Sequence, residues 1–145
     1  MPYRHTAPIQ IRFADLDALN HVNNANYLTY IELARIHYLH EVVKAEMGLH
    51  REGLILAKAT VDFKKPILLT DEIVVQTRCS RIGNKSFEME YEMLKMNTGG
   101  APELMATSMT VLVCLDYSTG KTISVPEVWK KRILDFEEVG SVVVG

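Results

Sequence analysis

The 145-residue chain holds two cysteines, one tryptophan, five prolines and eight glycines. Cys79 and Cys114 stand in strand-like runs and in no Cys-x-x-Cys spacing, which argues against a thiolate metal or redox motif. Both read as reduced core residues. No Pro/Gly-rich linker, low-complexity tract or internal repeat divides the sequence, so its length predicts one domain, 1–145. An excess of positive charge is also missing. Sixteen Lys and Arg against eighteen Asp and Glu leave a formal charge of −2, with no field to hold a polyphosphate backbone, and nucleic acid is not an expected partner. Apolar runs such as 111–115 fall far short of the roughly 18–20 residues that cross a bilayer, so no membrane span is expected. Arg4, His5, Gln10 and Arg12 interrupt the first residues before any apolar stretch can form. That predicts no signal peptide and a cytoplasmic protein. What remains is ordinary globular material, 48% hydrophobic and 23% charged.

Periodicity organises this material into one long helix and several strands. Ile9, Ile11 and Phe13 alternate with Gln10 and Arg12, predicting a first strand over 7–13. From about Asn24 to Met47 there is neither Gly nor Pro, and Gly48 stands as a C-terminal stop, which predicts a long helix. Tyr27, Ile31, Ala34, Tyr38 and Val42 recur at helical spacing, and Leu28, Leu39 and Val43 widen the stripe until the helix should be largely enclosed. A second strand from Ile55 to Pro66 points Ala57, Ala59, Val61 and Phe63 one way. A third, from about Glu72 to Ile82, turns at Gly83-Asn84 into a fourth, where Phe87, Met89, Tyr91 and Met93 alternate with glutamates. After a turn at 97–102, a fifth strand from about Glu103 to Leu115 is expected to point Met105, Met109, Val111 and Val113 inward, and 116–120 turns again. Pro126 suits the first position of a last helix, Val128 to Phe136; the tail beyond Glu138 carries no signal. The expected class is α+β, a curved antiparallel sheet wrapped around a long central helix, which is the hotdog fold.

The polar segment 12–27, Arg-Phe-Ala-Asp-Leu-Asp-Ala-Leu-Asn-His-Val-Asn-Asn-Ala-Asn-Tyr, holds the chemistry-bearing residues. Asn23 or Asn24 can cap the helix, whose first amide protons lack intrahelical partners and whose dipole favours a developing oxyanion. Asp17 supplies a carboxylate seven residues before Asn24; left to itself it could equally be an Asx-type turn. Asp15 reads as structural. His21 either orients the Asp17 carboxylate or a water, or fixes the loop by bonding backbone. Tyr27, one turn into the helix, either lines a pocket or belongs to the core.

Asp15-Leu16-Asp17, His21-Val22-Asn23-Asn24 and Tyr27, with Phe63-Lys64-Lys65-Pro66 and Asp71 downstream, resemble the 4-hydroxybenzoyl-CoA thioesterase-like family of hotdog enzymes, and within it the short bacterial acyl-CoA thioesterases. The chain departs from the pattern at Thr70, where the family carries Gly, and at Leu19, where plant acyl-carrier-protein thioesterases place Asn. The resemblance implies hydrolysis of an acyl-CoA thioester to the acid and coenzyme A, without metal or redox cofactor. It makes Asp17 the nucleophile or general base and sets the Asn24 amide against the thioester oxygen. It also implies a homodimer or homotetramer with the site at an interface. Within the same reading, Tyr27 would line the acyl pocket, and Lys65, Arg81 and Lys85, at strand ends and in the β-hairpin, would meet the coenzyme A phosphates. An acyl-carrier-protein thioesterase, or a silent acyl-binding hotdog protein in which the loop is merely cap and turn, are the rival expectations. His37 and His40 do not match His-Glu-x-x-His, and no metal is expected.

Overall fold

The computed structural model describes residues 3–46 and 52–145. In chain order it contains β1 (His5–Ile9), α1 (Asn24–Tyr38), β2 (Glu52–Phe63), β3 (Ile73–Ile82), β4 (Ser86–Lys95), β5 (Glu103–Asp116), β6 (Lys121–Thr122), α2 (Glu127–Phe136) and β7 (Val143–Val144). The sheet order is β1-β3-β4-β5-β2, antiparallel along this path, with β6 paired to β5 and β7 added parallel to β3. The strands on either side of α1 lie at opposite edges of this path, so the chain crosses the sheet face as helix. That crossing buries Tyr27, Tyr30, Ile31, Ala34 and Tyr38 in a core shared with Val75, Phe87, Met89, Tyr91 and Met93. The period-two reading of β4 holds throughout, since its four inward residues are at most 1% exposed. Each such side chain contributes about 1.5–3 kcal/mol by leaving water.

Several expectations need correction, and each has a local cause. The first strand is displaced toward the N-terminus: His5, Ala7 and Ile9 face inward, while Phe13 is 81% exposed on a 3-10 turn, Phe13–Asp15. Helix α1 does not reach Met47. It widens into a π-type turn at Leu39–Val43 and stops at Lys44, whose left-handed φ of 55° lets the amides of Lys44 and Ala45 both return to the Leu39 carbonyl. The expected stop at Gly48 lies outside the described residues. Nor is α1 enclosed all round, because the sheet covers one side of it and leaves Leu28, Leu33 and Ile36 41–43% exposed.

β-Bulges account for the errors of phase. In β2 the register shifts between Leu56 and Lys58, so Leu56 shares the inward face with Ala59, Val61 and Phe63, and Ala57 is the extra residue. In β5 the shift opposite Met93 and Leu94 leaves Met105 as the extra residue. Met105 and Ala106 are then both buried, Ser108, Thr110 and Leu112 continue inward, and the predicted inward residues Met109, Val111 and Val113 lie on the outer face. Pro126 is the N-cap of α2 and not its first helical residue. The short strands β6 and β7 had no sequence signal. Cys79 and Cys114 are free and buried, and burial pushes their thiols up to about 12 and about 11.

The second helix is fastened by a carboxylate. Glu137, 3% exposed at its C-terminal end, accepts from the Tyr38 hydroxyl at 2.6 Å and the Cys79 amide at 2.8 Å. One acceptor thereby joins α2, α1 and β3, and burial and the Glu137 charge push the Tyr38 hydroxyl up.

Candidate active site

The segment between β1 and α1 is stapled at two levels. The Asp15 carboxylate, 1% exposed, accepts from the Arg12 amide at 3.0 Å, Arg12 Nε at 3.1 Å, Arg12 Nη2 at 2.8 Å and the Tyr30 hydroxyl at 2.6 Å. Burial pushes this carboxyl up, but the Arg12 and Tyr30 hydrogen bonds outweigh it and hold the group below the ordinary carboxylate range. Burial and the same bond push the Tyr30 hydroxyl up. The Asp15 carbonyl accepts from the Asn23 amide at 2.8 Å and Asn26 Nδ2 at 2.9 Å, tying the turn to the first residues of α1.

Asp17 sits in the smaller loop that this staple presents. A bridge between Leu16 and Val22 closes it, the Asp17 amide donates to the His21 carbonyl at 2.8 Å, and Asn20 adopts a left-handed φ of 64°. The Val22 amide then donates to the Ile67 carbonyl at 2.9 Å, anchoring the loop to the segment after β2. Asp17 Oδ1 accepts from the Leu19 amide at 2.9 Å and the His21 amide at 3.4 Å. That is the Asx turn weighed from sequence, yet it occupies one oxygen. Oδ2 of the half-exposed Asp17 has no hydrogen bond among the described residues. Side chain and loop are therefore oriented by one atom while the other makes no hydrogen bond among the described residues.

At the helix start, Asn23 is the cap, its side chain accepting from the Ala25 amide at 2.9 Å. The exposed Asn24 amide has no acceptor among the described residues. An N–H donor at the positive end of a 15-residue helix and a carboxylate oxygen thus share one loop–helix junction. Such a pair can polarise a carbonyl and deliver an oxygen nucleophile to it. The His21 ring is half-buried without a side-chain hydrogen bond among the described residues, and the loop is closed by His21 backbone atoms. Tyr27 is buried, its hydroxyl donating to the Lys65 carbonyl at 3.4 Å and its ring edge-to-face with Phe63 at 4.9 Å.

The basic residues divide between the two ends of the sheet. Lys65 lies at the Asp17 end, in an exposed ion pair with Glu103 at 3.1 Å. Arg81 and Lys85 lie at the other end: Ile9 pairs with Ile73 at the start of β3, whereas Arg81 is eight residues further along, roughly 25 Å at strand rise. There Arg81 Nη2 donates to the Gly145 carbonyl at 3.4 Å and Lys85 Nζ to Thr122 Oγ1 at 3.4 Å. Within one chain these two do not join the junction. His37 pairs with Glu41 at 3.3 Å, and Glu41 also meets the buried His5 at 3.3 Å. Among the described residues no group of three or more His, Cys, Asp or Glu is placed to hold a metal. Arg12, Asn26 and Tyr30 build the staple; its sequence signal is limited to the opposite charges of Arg12 and Asp15 three residues apart.

A family model described as the thioesterase-like superfamily matches residues 11–133. The long-chain acyl-CoA thioesterase FadM of Escherichia coli K12 is 25% identical over 117 residues, covering 80% of this chain and 86% of its own. The 1,4-dihydroxy-2-naphthoyl-CoA hydrolase of Picosynechococcus is 27% identical, over 94% of this chain and 95% of its own. Among solved structures, a thioesterase from Thermus thermophilus complexed with coenzyme A and Zn is 35% identical with a TM-score of 0.80, covering 93% of this chain and 95% of that one. With the matched residues running from before the stapled loop into the last helix, the chain belongs to the thioesterase-like superfamily and carries its hotdog fold.

Proposed function

We propose that the chain hydrolyses acyl-CoA thioesters at the Asp17–Asn24 junction, acyl-S-CoA and water giving a carboxylic acid and coenzyme A. The observation that carries this reading is the division of labour within one carboxylate, Oδ1 held by the loop and Oδ2 unbonded, beside a helix-start amide with no acceptor among the described residues. Asp17 Oδ2 attacks the thioester carbonyl, or takes a proton from a water that does so. The electron pair of the C=O bond moves onto oxygen, where the Asn24 N–H stabilises it. Collapse expels the coenzyme A thiolate, which takes up a proton from solvent. On the covalent route a second water hydrolyses the resulting anhydride and restores Asp17. No metal or redox group is required, because the thiolate leaves without Lewis-acid help.

A second copy of the chain completes the site in this reading. The edge strand β2 exposes Ile55, Leu56 and Phe63, and the neighbouring helix face exposes Leu28, Leu33 and Ile36. Antiparallel pairing of two β2 edges would cover both faces and would bring the partner's Arg81 and Lys85 end beside this chain's Asp17 end. The separation within one chain is thus compatible with a phosphate-binding role across the dimer. Two buried, reduced cysteines suit a cytoplasmic setting.

Asp17→Asn tests the assignment, since it keeps the size and the Oδ1 acceptor and removes the anion. Hydrolysis of acyl-CoA, followed with a thiol-detecting dye, should fall by more than tenfold, above about 1.4 kcal/mol of barrier, with an unchanged melting temperature. A variant that keeps more than about a tenth of the rate refutes the assignment. In a single turnover in 18O-water, label found in Asp17 itself establishes the covalent route, because it requires an anhydride that water opens at the Asp17 carbonyl.

A further inference from the structure

Helix α1 runs from the Asn24 end of the junction past β2 and β5, and the side it turns to them is not wholly apolar. A cavity of about 150 Å³ there is lined by Leu28, Thr29, Glu32, Arg35, Leu56 and Thr110. Arg35 is 8% exposed, an unusual place for a guanidinium. Its recorded contacts are both long: Nη1 donates to the Tyr91 hydroxyl at 3.5 Å, and Nη2 lies 3.7 Å from the Glu32 carboxylate. Glu32 is 62% exposed, so water screens that pair. The other N–H groups of Arg35 have no acceptor among the described residues and, unlike Ser108 Oγ, keep contact with solvent. Tyr91 in turn shares a 2.7 Å hydrogen bond with Thr110 Oγ1. Two residues from Thr110 on the same inward face, Ser108 Oγ is buried with no partner among the described residues.

A mostly buried guanidinium with unpaired donors open to a cavity, and an orphaned hydroxyl two residues from Thr110, leave hydrogen-bonding capacity that acceptor oxygens can fill. We propose that this polar end recognises the far terminus of the acyl group and takes a carboxylate, so that the substrate is an α,ω-dicarboxylic acid carried as its mono-CoA thioester. The inference rests on the Asp17 junction being the reacting end. The planar guanidinium fork matches a carboxylate in two parallel hydrogen bonds, a fit that an alkyl terminus cannot supply. Length follows from the helix: Arg35 stands eleven residues past Asn24, about 16 Å of rise, and its side chain leans back toward the N-terminus, so the acyl group has roughly ten carbons.

Two measurements on the unaltered protein test this. The first compares kcat/KM for the mono-CoA thioesters of the straight-chain ten-carbon diacid and of the ten-carbon monoacid; the diacid should be favoured at least tenfold. The second is calorimetric binding of the two free acids, which needs no turnover. Arg35→Met should reverse the kinetic preference and Arg35→Lys keep part of it, with melting curves reporting that each variant is folded. Equal kcat/KM and equal binding would overturn the carboxylate subsite while leaving the thioesterase reading intact. Selective binding of the free diacid without hydrolysis of either thioester would uphold the subsite and overturn the reaction assigned to Asp17.

Discussion

Replacing Asp15 by Asn isolates the staple from the chemistry. The change preserves size but turns one of two acceptor oxygens into a donor facing either Tyr30 Oη and the Arg12 amide or the Arg12 guanidinium. Hydrogen bonds to a charged group contribute about 1.5–3 kcal/mol each when well formed. The Arg12 side chain is 67% exposed, so water screens its pairing with Asp15 and it adds little. The buried Tyr30 bond and the displaced Arg12 amide dominate, giving a loss of about 2–3 kcal/mol. At a chain of this size that lowers Tm by about 4–12 °C. The pH dependence fixes the cause. The folded carboxyl titrates below its unfolded value, so the stability it contributes is present above about pH 4 and is lost as pH falls through the folded pKa. Denaturant melts of wild type and Asp15→Asn should therefore differ at pH 7 and converge as acid protonates Asp15 in the wild type. An unchanged Tm at pH 7, or a folded Asp15→Asn protein with wild-type Tm and no activity, would refute the reasoning, and the second would exchange the roles of Asp15 and Asp17.

Other expectations follow from the same structure. Arg81→Ala and Lys85→Ala should raise KM for acyl-CoA with little change in kcat, and the effect should shrink at high salt, because exposed phosphate contacts act on ground and transition states alike and are screened over about 8–10 Å; unchanged KM at both salt levels means the phosphates dock elsewhere. Activity should survive dialysis against EDTA, and loss with recovery on added zinc would overturn the metal-free mechanism. Glu137→Ala leaves the buried Cys79 amide and Tyr38 hydroxyl without an acceptor and should cost about 2–4 kcal/mol in denaturant melts, whereas Glu137→Gln, which keeps one oxygen for both donors, should cost about 1 kcal/mol; equal costs would show that α2 is held by packing alone.

Elements whose pattern is set by burial were legible from sequence. The alternation of Phe87, Met89, Tyr91 and Met93 against glutamates located β4 because a half-buried strand admits no other phase. Helix α1 was legible at its start, where Asn23 caps it, and not at its end, since Lys44 adopts a left-handed conformation that composition assigns to glycine. The failures in β5 have one source: a bulged residue such as Met105 reverses the facing of everything after it while leaving the run just as apolar. Sequence spacing carries no mark of that insertion, so an unbroken alternation points Met109, Val111 and Val113 inward where the bulged strand turns them out.

The same reasoning explains why the site was more legible than the network beneath it. Asp17, Asn23 and Asn24 are polar residues in an unbroken polar stretch, where only turn, cap or chemistry accounts for them. Tyr30 and Arg35 sit at helical spacing among apolar neighbours and read as core or solvent-facing residues until the fold is known. Yet Tyr30 reaches back fifteen positions to Asp15 and Arg35 lies under the helix beside Tyr91, which is fifty-six positions away. A buried polar side chain is explained by its partner, and neither partner is local in sequence. The two acids of Asp15-Leu16-Asp17 show what this does to function. Lying two apart, they serve different surroundings, so the same short segment can sink one carboxylate against Tyr30 and Arg12 and present the other at the helix start. In the proposed mechanism rigidity comes from the first acid and reactivity from the second, which is why neither is expected to take over the other's role.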